Sequence, residues 1–572
     1  MKIKKLLQKL PYWLLLLLII IIAFSLRIYL IDQAPKGALV DEAHFGFLAK
    51  SLLKTGKDEH GVSYPIIFKG FGDDKLPAMA YAMMPFVKIF GLSTFTIRLP
   101  SVLAGTFLVA VIYLLLKELN FKPTLALWGS LLTAISPWPF LLSRIGFESN
   151  LALLFFTIGL VFLVKLLKKP HQLWALLAAL FFAFTWYSYI AYRPVTLALS
   201  LMILGWQAWH KKLSLKTLVV FITTLLVAVS PLFFGKAAQS NTTRLQQIGI
   251  FYDPGIKLKV DEQRAFCQMR FPKEYCHLVF NKVYLISYML TDRALHTFSP
   301  QYLATEGEVD QPALNSANFG QFYPVFYLAF LLGLVALLFN KNHQLDLTLK
   351  LLIGLGLVIA PIPALLAGWP QKVRLSPLYP FMTITIVLGL AYAFKLAKQK
   401  ATWLATLLSI TVLVLATGYT TVYITDFWAV HAYKKETAYQ GYLPELFGYL
   451  QLYKFNDPQV EIVIKSFFSD PLMFYAFYND MNPALYQKLA VLGELEASGF
   501  QHTVGLGNLR VEGSPNAQKL GCEAKQQNKT IILVTDEQQD MPALHIVKSS
   551  NRVHDYVYVY ETNKAVNDSA CF

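Results

Sequence analysis

Long apolar runs separated by short basic segments fill the first three quarters of the chain. Residues 11–31 (PYWLLLLLIIIIAFSLRIYLI) form the first run. It reaches the roughly 20 residues that a helix needs to cross the hydrocarbon of a bilayer. No small-residue cleavage site follows it, so it reads as a retained span rather than a signal peptide. Further runs at 98–116, 123–143, 151–167, 173–190, 194–209, 217–234, 318–339, 351–367, 376–394 and 401–425 predict ten more spans. The stretch 76–90 is shorter, is interrupted by Pro77, Pro85 and Lys88, and reads as an interfacial helix. Beyond residue 425 the pattern changes. Segments 460–465 (VEIVIK), 530–535 (TIILVT) and 556–560 (YVYVY) alternate or cluster β-branched and aromatic residues, as strands do, and helix-like stretches lie at 442–453 and 483–495. The expected fold class is a multi-spanning α-helical membrane protein of about 11 transmembrane helices with a C-terminal soluble α/β domain. Its expected domains are 1–425, with outer loops at 32–97 and 235–317, and 426–572.

Composition supports this and excludes a soluble multidomain chain. Of 572 residues 55% are hydrophobic and 15% charged, against roughly a quarter charged in soluble proteins. The formal net charge of +16 would by itself suggest nucleic-acid binding, but its distribution argues otherwise. With the N-terminus cytoplasmic, the inner segments 1–10, 117–122, 165–172, 210–216, 340–350 and 395–400 hold 17 of the 51 basic residues. Of the 35 acidic ones they hold only Glu118 and Asp346. The excess is a topology signal of the positive-inside kind. A cell-membrane, multi-pass protein with an extracytoplasmic tail is expected, and no nucleic-acid partner.

All four cysteines fall in segments expected outside, Cys267 and Cys276 in the long loop and Cys522 and Cys571 in the tail. Two even pairs predict the disulfides Cys267–Cys276 and Cys522–Cys571 in an oxidising compartment, with free thiols as the alternative.

Ionisable residues gather at the expected outer boundary. They are Asp41-Glu42 after the first span, Asp73-Asp74-Lys75 later in the first loop, Arg144 and Glu148 around the end of the third span, Arg193 after the fifth, and Lys372 and Arg374 after the ninth. Charges beside apolar helices are costly unless paired or functional. Each has a structural alternative: Arg193 and Arg374 as snorkelling anchors in an aromatic belt, Arg144 and Glu148 as a helical ion pair, Asp41-Glu42 as acids favouring a helix start. Together they would form a pocket with carboxylates able to deprotonate a hydroxyl or hold a metal, and cations able to hold a lipid phosphate.

The order of these segments resembles the C-type glycosyltransferases that use polyprenyl-phosphate sugars. The likeness is greatest to the protein O-mannosyltransferase family (glycosyltransferase family 39) and to lipid A aminoarabinose transferase. It rests on DEAHFG, GDDKLPAMAY, FGLSTFTIRLPS, SPWPFLLSRIGFESNLA, HTFSPQYLATEGE and VRLSPLYP, in order over residues 11–425. The resemblance implies a C-type fold and an inverting transfer of sugar from a polyprenyl-phosphate donor to a hydroxyl of protein, lipid or glycan. Asp41 is then the catalytic base, with Glu42 its acidic neighbour and Glu148 a second acid. Lys75 and Arg374 would bind the donor phosphate, and Arg144 and Arg193 are further boundary cations that would stabilise the phosphate as it leaves. Asp74 and Glu42 would hold a divalent metal, the one cofactor the resemblance allows, although Asp74 is shorter than the glutamate of relatives. The competing class is a transporter or flippase of an anionic or lipid-linked substrate. Its sites usually lie near the midplane and come with repeats, neither of which this sequence displays.

Overall fold

The computed structural model describes residues 11–70, 74–234, 249–316, 319–339, 345–494, 501–565 and 571. The chain divides into two compact units. One comprises residues 1–29 and 101–425, the other 30–100 and 426–572.

The first unit is helical. Each predicted span coincides with a helix or a helix pair, from Tyr12–Ile28 to Thr402–Asp426. Among the described residues six helices are long and apolar enough to cross a membrane. A seventh span is formed if the bent pair Pro123–Ile135 and Pro137–Ser143 counts as one. The pair meets at 54°, where Pro137 and Pro139 lack the amides a continuous helix would use. Tyr12–Ile28, Gln172–Ser188 and Pro324–Phe339 are apolar but shorter. Close packing is set by small residues. A Cβ on Gly333 would strike the Thr385 carbonyl, and one on Gly389 the Ala329 carbonyl. The helices Pro324–Phe339 and Tyr379–Lys400 therefore touch backbone to backbone, as membrane helices do where apolar burial does not itself drive association.

The second unit is built on a seven-stranded mixed sheet of order β2-β3-β4-β1-β5-β7-β6. The strands are β1 (Val460–Lys465), β2 (Ala490–Leu492), β3 (Thr503–Leu506), β4 (Leu509–Glu512), β5 (Thr530–Thr535), β6 (His545–Lys548) and β7 (Asp555–Glu561). β1 runs parallel to β4 and β5, and the remaining pairings are antiparallel. Alternation along the strands gives the sheet two apolar faces. Val463, Ile531 and Leu533 pack on Leu520 and Ala524 of the helix Ala517–Gln527. Ile462, Ile464, Ile532 and Val534 join a larger core that includes Phe45, Phe47 and Leu48 of the helix Val40–Thr55 and Met79 and Met83 of Ala78–Phe90. The expected interfacial helix of residues 76–90 thus buries one face in this core. The expected helix 483–495 stops at Leu489, where Ala490–Leu492 becomes the edge strand β2.

Cys267 is bonded to Cys276 and Cys522 to Cys571, with Cα atoms 5.8 and 5.4 Å apart.

Candidate functional site

In the second unit, Asp41 and Glu42 occupy the first turn of the helix Val40–Thr55, where unsatisfied amides and the helix dipole favour negative charge. Their side chains diverge. Asp41 is partly exposed and accepts a hydrogen bond from the Lys75 ammonium, with Nζ to Oδ1 2.5 Å. Lys75 is held by its own backbone, which exchanges two hydrogen bonds with Phe68 at 3.0 and 2.8 Å. Two motifs of the first loop, 34 residues apart in sequence, therefore form one charged pair.

Glu42 has a different place from the one expected of it. It is fully buried. Oε1 accepts from Arg98 Nε at 2.8 Å, and Oε2 accepts from Arg98 Nη2 at 3.0 Å and from the Leu39 amide at 2.9 Å. Arg98 also donates to the carbonyls of Ile31, Pro35 and Gly37 at 2.7–2.8 Å. This bidentate, carbonyl-buttressed pair fixes the chain entering the helix that carries Asp41. With both oxygens engaged, Glu42 does not fit as a metal ligand. Asp74 is exposed, its neighbours 71–73, including Asp73, lie outside the described residues, and no group of three metal-ligating side chains occurs among those described. Among the described residues, then, no metal site is assembled around Glu42 and Asp74. Nearby, His44 and Glu59, both buried, meet at 2.6 Å.

In the first unit, Glu148 begins the helix Glu148–Lys168, again where an acid is favoured. Arg144, expected to meet a phosphate, is fully buried, and its Nη1 donates to the carbonyls of Leu26, Arg27 and Tyr29 at 2.8–3.0 Å. With Nη1 it caps the open carbonyls at the end of the first span. Arg193 is half-buried and leans on the Trp186 carbonyl at 3.2 Å. Arg374 is half-buried, with Nη1 2.7 Å from the Ala367 carbonyl.

Four charged residues are central to packing, and of these only Lys372 is singled out from the sequence, as a boundary cation. Arg98 is one. Arg27, inside the first span, is fully buried and donates to Ser143 Oγ and to the carbonyls of Ala23, Thr133 and Ala134. Glu308 and Lys372 form a buried pair. The Lys372 amide donates to Glu308 Oε1, its ammonium lies 3.8 Å from Oε2 and bonds Ser316 Oγ, and its carbonyl accepts from Trp138 Nε1 at 3.1 Å. Burial pushes the Glu308 carboxyl up to about 7, the nearby Lys372 and Arg374 charges notwithstanding. The only sequence signals were an Arg in an apolar run and a charge in each of the HTFSPQYLATEGE and WPQKVR segments, which Glu308 shares with Glu306 and Lys372 with Arg374.

Residues 74–234 match the family model described as dolichyl-phosphate-mannose-protein mannosyltransferase. No curated protein matches the chain. Among solved structures, the chain is similar to ArnT from Cupriavidus metallidurans bound to undecaprenyl phosphate. That match has 12% identity and a TM-score of 0.52, and covers 95% of this chain and 97% of that one. It is also similar to the oligosaccharyltransferase of Archaeoglobus fulgidus in complex with Zn and sulfate, at 14% identity, TM-score 0.51, and 91% and 68% coverage. At these identities the two structures establish the shared fold.

Proposed function

We propose that this membrane glycosyltransferase, of the kind whose family model matches residues 74–234, transfers a sugar from a polyprenyl-phosphate donor to a hydroxyl acceptor, with inversion, at the outer face of the membrane. The observation that carries the proposal is the Asp41–Lys75 pair, a candidate base hydrogen-bonded to a candidate phosphate ligand. The undecaprenyl phosphate bound to the similar ArnT supports the donor class.

An alcohol has a pKa far above 7, so a positioned carboxylate must accept its proton as the new C–O bond forms. Asp41 takes that proton. The bond from the anomeric carbon to the phosphate oxygen breaks, and polyprenyl phosphate leaves with the electron pair. Charge grows on the leaving phosphate, so fixed cations stabilise the transition state more than the ground state. Lys75 is the first of these. Arg193 and Arg374 are further candidate cations by the family resemblance, while Arg144 and Glu42 support the scaffold. A phosphate that draws Lys75 to itself weakens the bond to Asp41, so donor binding frees the base that the acceptor needs. Glu148 is the second acid of this reading.

The test is reconstitution in proteoliposomes with labelled polyprenyl-phosphate sugar on the lumenal or the external side. Label appearing on a hydroxyl acceptor supports transfer. Label crossing the bilayer unchanged, with no acceptor modified, would replace this reading by a flippase.

A further inference from the structure

The segment between the spans Leu215–Phe233 and Pro324–Phe339 holds a hairpin of three helices, Pro254–Gln268, Lys273–Val279 and Lys282–Thr297. Its root is packed. Ile256, Val260 and Leu285 are buried together against Leu366, and Arg293 Nη1 donates to the Leu365 carbonyl at 2.6 Å. Leu365 and Leu366 end the membrane-length stretch Leu347–Leu366. The hairpin is therefore rooted at the level where a span leaves the hydrocarbon.

Its tip is unlike its root. Around the Cys267–Cys276 bridge, Phe266, Met269, Phe271, Tyr275 and Leu278 are 65, 76, 54, 50 and 75% exposed. Water-facing surfaces rarely concentrate large apolar side chains in this way without a partner. Between them stand the exposed Arg270 and Lys273, against the single acid Glu274 in the bridged loop. Apolar and aromatic side chains interleaved with cations match the interfacial zone of a bilayer, where the rings and Met or Leu enter the acyl boundary and the cations meet anionic headgroups. The bridge holds the tip in one loop, so the group can enter without first being ordered.

We propose that the tip 266–278 inserts into the membrane interface at its end of the spans and anchors the hairpin to lipid. The proposal is independent of the transferase reading.

The full-length chain is placed in lipid nanodiscs, one copy per disc, with an environment-sensitive fluorophore on Leu278→Cys and, in a separate preparation, on Phe271→Cys. Labelling is done without reductant so that the native bridges stay closed. Doxyl groups high on the acyl chains should remove most of the fluorescence at both positions, while aqueous iodide should leave it nearly unchanged. Labels that iodide quenches and doxyl lipids do not would overturn the proposal. So would labels shielded from both quenchers in a chain that self-associates, because the patch would then be a contact between copies. Two positions keep the test decisive if one variant does not fold.

Discussion

Lys75 Nζ lies 2.5 Å from Asp41 Oδ1, and the two side chains are 6 and 24% exposed. The carboxylate thus lies at the edge of the solvent-accessible surface, with a cation covering one oxygen. Asp41→Asn keeps the shape and removes the basicity. Turnover should fall by on the order of 10²–10⁴-fold, the usual weight of general-base catalysis, with donor affinity changed far less. Steady-state kinetics with separate donor titration checks this. Near-normal turnover in Asp41→Asn would move the assignment to Glu148.

Lys75→Ala should divide its effect the other way. It removes the partner of Asp41 and a phosphate ligand together, so a rise in the KM for donor should be a large part of the defect. An unchanged donor KM with a lower kcat would mean that Lys75 only orients Asp41.

The Glu42–Arg98 pair yields a prediction about folding. Removing one member of a buried ion pair strands the other and typically costs about 3–5 kcal/mol. Glu42→Gln and Arg98→Met should each lower the melting temperature of the purified chain clearly, and activity should fall in step with the folded fraction. A variant that melts like the parent yet has lost turnover would return Glu42 to the catalytic machinery.

Glu308 adds a pH dependence. Its carboxyl is raised by burial from 4.5 to about 7, so the folded state retains a proton that the unfolded chain releases. The contribution of this group to stability is full below about pH 4.5 and is lost as pH rises to about 7. Melting temperature measured from pH 4.5 to 8 should decline less steeply in Glu308→Gln than in the parent. Parallel curves would refute the assignment.

Orientation is open to labelling. The charge distribution expects Lys211 inside and Ser514 outside, so a membrane-impermeant thiol reagent should reach Ser514→Cys in intact cells and miss Lys211→Cys. The reverse pattern would invert the topology and with it the proposed face of the reaction.

The spans were readable because the bilayer imposes one requirement, apolar length, on contiguous residues. β1, β5 and β7 were readable for a similar reason, since six or seven residues suffice to display a period of two. β2, β3, β4 and β6 have three or four residues each, too few for a period to show. Asp41 and Lys75 were visible as separate motifs, but their pairing depends on how the first loop folds back through Phe68. The tasks of Arg27, Arg98 and Arg144 were hidden because their partners are mostly backbone carbonyls, which every residue has and only the tertiary fold aims. The same is true of the core that Phe47 and Leu48 share with the tail, since nothing local to either segment names the other.

That shared core has a consequence for biosynthesis. The helix Val40–Thr55 leaves the ribosome early, whereas the strands that cover it begin at Val460. At about 5–20 residues per second, its apolar face waits on the order of tens of seconds while the intervening spans are made and inserted. During that interval Phe45, Phe47 and Leu48 have only the early-made part of their core, such as Met79 and Met83, to pack against. Truncations that stop before the tail should therefore leave the candidate base on a helix with only part of its core to hold it.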